Sequence, residues 1–253
     1  MRAFIISIAC SALCSCMPSS NASDNAKRAN NEIPVSSHYV TNRNHIEPTL
    51  GSHPPVKGEA RQDPITGTKI TRLTNAAELN GSLDALIVYS RYSPENSSGD
   101  YFLAFGSNST SSWVIDRKSG AILHELKHLN AKEIGEAHEV RWDTSGIHPY
   151  RVYYRYNLGL YMINDVSATT LQPTLIKDFS RSVPNATKIY NDVEGDSSNG
   201  SDDWAFMAAH YNGTTYVVDA FIHYQISTDS THIFTPDQLA GTALSHYAEG
   251  KTF

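Results

Sequence analysis

The feature that most constrains this chain is a repeat of short, strand-like segments with a period near 50 residues. One copy runs Tyr89–Pro94, Tyr101–Phe105, Trp113–Gly120 and Ala121–Leu126. A second runs Glu139–Thr144, Arg151–Tyr156, Leu160–Asp165 and Pro173–Phe179. Arg91 maps onto Arg141, 50 positions on, and Asp116 maps onto Asp165, 49 positions on. A third, weaker copy has Asp192–Ser197, Trp204–Ala209, Thr215–Ala220 and a segment from His232. The segments are rich in aromatic and β-branched residues, and Gly, Ser, Asn and Asp separate them, which is the texture of strands joined by turns. A unit this small cannot bury its apolar face alone, so successive copies must stack.

Four strands in about 40–50 residues is the period of a β-propeller blade. The predicted fold is therefore all-β, a β-propeller of four-stranded blades. Three marks carry a family resemblance. Tyr92-Ser-Pro leads through a glycine turn into a strand ending at Phe105, Asp116-Arg-Lys-Ser-Gly120 closes a third strand, and Thr68-Lys-Ile-Thr-Arg-Leu-Thr74 forms a fourth. With them the chain resembles the WD40-like, TolB-like propellers of exported bacterial proteins, over residues 60 to 235. In general texture it is similar to propellers of the oligogalacturonate and ulvan lyase type. The resemblance implies the fold and says little about function. The count is short: the end of one blade, three full blades and a fragment from Thr242 to Phe253. Closed propellers have at least about four blades. The expectation is a truncated six- or seven-bladed propeller, or else a short one that borrows strands from its N-terminal segment. An open arc of blades exposes sheet edges and leans toward self-association.

The N-terminus reads as an export signal. Arg2 precedes an apolar stretch from Ala3 to Leu13, and all three cysteines, Cys10, Cys14 and Cys16, fall in this region. Leu13-Cys-Ser-Cys16 resembles a bacterial lipobox, which implies cleavage before Cys16 and lipidation of its thiol. An ordinary signal peptide is the alternative. The expected organisation is a signal peptide over 1–15, a polar tether over 16–60 and blades over 61–253. No cysteine follows Cys16, which excludes internal disulfides, a thiol nucleophile, iron–sulfur clusters and thiolate zinc sites. The formal charge of −6, from 20 basic and 26 acidic residues, argues against a nucleic-acid partner. No apolar run is long enough for a helix to cross a membrane, so contact with one is expected only through a lipid anchor.

Three constellations could carry chemistry. The first comes from aligning the first strand of each copy: Tyr89 and Arg91, Glu139 and Arg141, Asp192 and Glu194. Strand alternation puts each pair on one face, and in a propeller this strand lines the central channel. Such a ring would bind an anionic ligand, an acidic glycan above all, through arginine forks, or would close the channel as an ion-pair network. Adding His138 and Tyr154 to Arg141 gives the parts of a polysaccharide lyase. The arginine neutralises a uronate carboxylate, and the His or Tyr takes the C5 proton. The second constellation is His124-Glu-Leu-Lys-His128, a His-Glu-X-X-His pattern that would bind zinc on a helix. The repeat places Ala121–Leu126 on a strand instead, which disfavours zinc. The third is the loop from Glu194 to Asp203, where Glu194, Asp196 and Asp202 offer oxygen ligands for calcium, or simply form a solvated turn. No cofactor is demanded by any of these patterns. The leading expectation is an exported, lipid-anchored propeller that binds an acidic glycan, with the lyase and the zinc hydrolase as alternatives.

Overall fold

The computed structural model describes residues 54–63, 67–88, 92–106, 111–128, 139–191, 197–198 and 200–240. All of them belong to one compact unit, Thr49–Phe253. The regular secondary structure of the described residues is almost entirely β. A hairpin pairs β1 (Ala60–Gln62) with β2 (Lys69–Thr71), and a 3-10 turn follows at Ala76–Glu78. Three four-stranded antiparallel sheets then follow, each a meander in chain order. The first holds β3 (Ala85–Ile87), β4 (Tyr101–Gly106), β5 (Ser112–Asp116) and β6 (Ile122–Leu126). The second holds β7 (Arg141–Trp142), β8 (Val152–Tyr156), β9 (Gly159–Ile163) and β10 (Pro173–Asp178). The third holds β11 (Lys188–Tyr190), β12 (Asp203–Tyr211), β13 (Tyr216–Gln225) and β14 (Ser230–Phe234). A single helical turn, α1 (Pro236–Leu239), ends the described chain, capped reciprocally by Thr235 and Gln238.

The three copies read from the sequence are these three sheets, and β7 lies within its expected segment Glu139–Thr144. In the first and third sheets a strand precedes the expected segment, at Ala85–Ile87 and Lys188–Tyr190, while residues 89–91 and 192–196 of the expected strands lie outside the described residues. Apolar residues such as Leu86, Ile87, Ile189 and Tyr190 make the ladder pairs. These apolar residues suit a pleated strand even where, as at Ile87, the side chain stays exposed. The strand at Ala60 also starts within the segment expected to be tether. The fragment from Thr242 lies outside the described residues.

The sheets stack in series through two cores. Val152, Tyr154 and Ile163 of the second sheet meet Val88, Leu103, Val114 and Leu126 of the first. Tyr153 and Leu160, on its opposite face, meet Ile189, Trp204, Phe206 and Ile222 of the third. This explains why β8 reads Val-Tyr-Tyr-Arg-Tyr rather than alternating cleanly: both its faces are covered. Trp204 and Phe206 stack with ring centroids 5.9 Å apart and 7° between their planes. Arg155 is the one cation of β8, and it is buried in an ion pair with buried Glu139. Removing one partner of such a pair costs more than the pair contributes, so it fixes the seating of the segment before β7.

The turn Asp116-Arg-Lys-Ser-Gly120 shows why its glycine is required. Asp116 Oδ1 accepts from Ser119 N at 2.7 Å, and Gly120 N donates to Asp116 O at 2.8 Å. Gly120 has φ +69°, and a Cβ there would lie 2.4 Å from Leu73 O. Only glycine meets both conditions.

Candidate functional site

The connections after the first strands of the three sheets meet at one end of the stack. Trp142 Nε1 donates to Pro94 O at 2.8 Å, and Asn96 Nδ2 donates to Pro149 O at 3.0 Å, joining the first sheet to the second. Thr144 N donates to Ser201 Oγ at 2.9 Å, and Gly200 N donates to Thr144 Oγ1 at 2.9 Å, joining the second to the third. Between these bridges opens a cleft of about 340 Å³, lined among others by Tyr92, Glu95, Asn96, Arg141, Asp143 and Ser197.

Arg141 is the centre of this cleft. Its guanidinium carbon lies 3.4 Å over the centroid of the Tyr92 ring, and Nη1 donates to Val140 O at 3.3 Å. A cation held on a ring face keeps its charge and its planar donor edge in a fixed direction. Asp143 is buried beside it and accepts from Ser145 N at 2.8 Å and from Tyr153 Oη at 3.3 Å. Arg151 Nη1 stands 3.6 Å from the same carboxylate. Glu95 accepts from Arg117 Nε at 2.9 Å at the exposed rim. Around an aromatic floor the cleft gathers the buried Arg141 guanidinium, two carboxylates and hydroxyl groups. That set can grip a hydroxyl-rich anion.

Of the channel residues read from the sequence, Arg141 lines the cleft. Glu139 does not: it turns inward to Arg155, whose guanidinium lies 5.9 Å from the Tyr190 ring centroid. Glu139 and Arg141, read as one face, have different partners: Arg155 for the first and the Tyr92 ring for the second. Tyr89, Arg91, Asp192 and Glu194 lie outside the described residues, as do His138, Asp196 and Cys16. Tyr154, the lyase candidate, is a core residue whose hydroxyl is hydrogen-bonded to His128 Nδ1 at 2.9 Å, not to Arg141. Burial pushes its hydroxyl far above the usual phenol range. Tyr92, Asn96, Asp143, Thr144 and Ser197 were missed. The sequence put Tyr92, Asp143, Thr144 and Ser197 in expected first strands and Asn96 in a turn, and no local pattern shows which of these segments meet.

The His-Glu-X-X-His pattern is not helical. His124 and Glu125 lie on β6, where neighbours point to opposite faces. Glu125 accepts from Asn80 Nδ2 at 3.0 Å and pairs with Lys127 at 2.8 Å. His128 is stacked on Tyr156 at 3.8 Å. Asp202 serves a turn: its carboxylate accepts from Ser227 N at 2.7 Å, Ser227 Oγ at 2.8 Å and Gln225 Nε2 at 3.0 Å. These bonds hold it below the usual carboxylate range. Among the described residues, no group of three or more His, Cys, Asp or Glu side chains is placed to hold a metal ion.

No family model matches this sequence, and no curated protein matches it. Among solved structures, the chain is similar to an oligogalacturonate lyase from Vibrio parahaemolyticus, with a TM-score of 0.45 and 15% identity. The likeness covers 70% of this chain and 48% of that protein, so the chain spans about half of that neighbour's length.

Proposed function

We propose that this chain is an exported, lipid-anchored protein of β-propeller type that binds an acidic glycan at the Arg141 cleft. The observation that carries the reading is Arg141 laid 3.4 Å over Tyr92 in a polar cleft at the meeting of three connections. Support for the propeller comes from the serial stacking of three meanders that share their faces. Support for export comes from Arg2, the apolar stretch to Leu13 and the Cys16 lipobox. A uronate suits the reading because the cleft combines a cation, hydroxyl groups and an aromatic floor, the chemistry that an acidic sugar ring meets.

Isothermal calorimetry with oligogalacturonates tests this. Binding is expected for the mature chain, and Arg141→Lys is expected to weaken it by roughly ten-fold or more, since lysine keeps the charge and loses the fork. No binding to any uronate oligosaccharide, or binding indifferent to Arg141→Lys, overturns the proposal. Absorbance of an unsaturated product in the same samples would turn the binding protein into a lyase. That second reading is the weaker one, since Arg141 lines the cleft while Tyr154 is committed to His128. The zinc hydrolase loses the helix it requires.

A further inference from the structure

A second recess lies where β8 turns into β9, away from the Arg141 cleft. It has a volume of about 480 Å³, and its lining includes His128, Tyr156, Tyr161, Asn157, Asp178 and Thr187. Its wall is an aromatic cluster across the seam between the first two sheets. His128 lies face to face with Tyr156, centroids 3.8 Å apart and 15° between planes. Tyr161 meets His128 edge-on at 4.6 Å and stacks on Tyr154 at 5.6 Å. The Tyr154 hydroxyl bond to Nδ1 locks the imidazole in place. Gly159 permits this wall: a Cβ there would come within 2.5 Å of the Tyr161 ring. The tyrosine therefore lies across bare backbone.

The polar groups of the recess are neutral or negative. Asp178 accepts from Ser180 N at 2.8 Å, which holds its carboxyl below the usual range and keeps it charged. Thr187 Oγ1 donates to Ala209 O at 3.3 Å and keeps its lone pairs for an incoming hydroxyl. Asn157, exposed at φ 49° in the hairpin turn, adds an amide. No lysine or arginine is among the described residues that line it. Burial lowers the proton affinity of His128, so it too is neutral at physiological pH.

We infer that this recess is a second carbohydrate subsite, selective for an uncharged sugar ring. Rigid aromatic edges and faces take the C–H face of the ring, while Asp178, Asn157 and Thr187 take its hydroxyls. Asp178 repels a uronate, so this subsite and the Arg141 cleft differ in the charge they accept. An organic cation fits less well, because the rings pack on one another along a single wall and do not surround it from several sides.

Saturation-transfer NMR with cellotetraose, xylotetraose and mannotetraose on the mature chain tests the inference. At least one is expected to give transfer signals. Thr187→Arg, which fills the exposed lip, and Asp178→Ala, also exposed, should each cut the signals by roughly five-fold or more. The thermal midpoint and oligogalacturonate binding should stay unchanged in both. Signals lost in Arg141→Lys instead would place the sugar in the cleft and overturn the inference. So would silence from all three sugars, signals indifferent to Thr187→Arg, or displacement of the sugars by tetramethylammonium. Oligogalacturonate binding on the same samples separates failure of this subsite from failure of the cleft reading.

Discussion

At the residue scale, two buried groups decide behaviour that their sequence neighbours do not announce. Arg155 and Glu139 are each nearly sequestered, with side chains 6% and 3% exposed. Replacing Glu139 by Leu leaves Arg155 buried without that carboxylate, and should cost about 3–5 kcal/mol in urea denaturation. Changing both, Glu139→Leu with Arg155→Met, should recover most of that loss. Equal losses in the single and double variants would refute the pairing. His128 sets a pH dependence. Burial lowers its folded-state pKa below the ordinary 6.5, so the unfolded chain takes up the proton first as pH falls. Stability contributed by neutral His128 is therefore present above about pH 6.5 and is lost below it, down through the folded-state pKa. Melting midpoints measured from about pH 7 to pH 5 should fall, and His128→Phe, which keeps the stacking, should flatten that fall. An identical slope in the variant would mean that another group titrates. That the histidine follows the last strand of the first copy was legible in the repeat. Its tyrosine surround was not, since Tyr154, Tyr156 and Tyr161 reach it only across the seam between two sheets.

At the element scale, turns and bulges set the registers. β12 and β13 pair over their length with a shift at Ala208/Ala209, where Val218 and Ala220 flank the extra residue Asp219. His210 Nδ1 binds both oxygens of Asp219 at 2.9 Å, tying down the bulged residue. The glycine turns give a sharper test. Gly120 and Gly146 both have positive φ, +69° and +74°, but a Cβ would strike Leu73 O at the first and meet nothing within 4 Å at the second. Gly146→Ala should cost about 1–2 kcal/mol, the left-handed penalty alone. Gly120→Ala should cost clearly more by the same denaturation measurement, because the backbone of another segment must also move. Equal costs would show that Leu73 yields freely. Asp116-Arg-Lys-Ser-Gly120 was readable as a turn from composition. In the first and third sheets the paired residues are apolar ones upstream of the expected strands, whose charged positions Arg91, Asp192 and Glu194 lie outside the described residues.

At the scale of the whole molecule, the second sheet is buried on both faces while the array leaves apolar residues open elsewhere. Ile87 on β3 is 56% exposed, and Phe234 on β14 is 41% exposed. Both strands are sheet edges. Exposed apolar edges are templates for pairing with another chain. We therefore expect concentration-dependent self-association of the mature chain in sedimentation velocity, reduced by Ile87→Lys together with Phe234→Lys. A single monomeric species at all concentrations would rule this out. Sheet count and stacking order could be read from the repeat because each copy carries its own four strands. The cleft could not, because it exists only where the connections of three copies meet.

The sequence by itself determined the all-β composition of the array, the division into three four-stranded copies and the turn chemistry between strands. Those depend on interactions within a few residues or on a period, and both are written along the chain. The tertiary structure decided which polar residues face solvent together. Glu139 and Arg141 are two positions apart, yet one pairs inside with Arg155 and the other lies over Tyr92 in the cleft. Their fates depend on a cation 16 residues away and a ring 49 residues away, contacts set by how the sheets stack. Charge pairing and burial across that distance are settled by packing, and no local pattern encodes them.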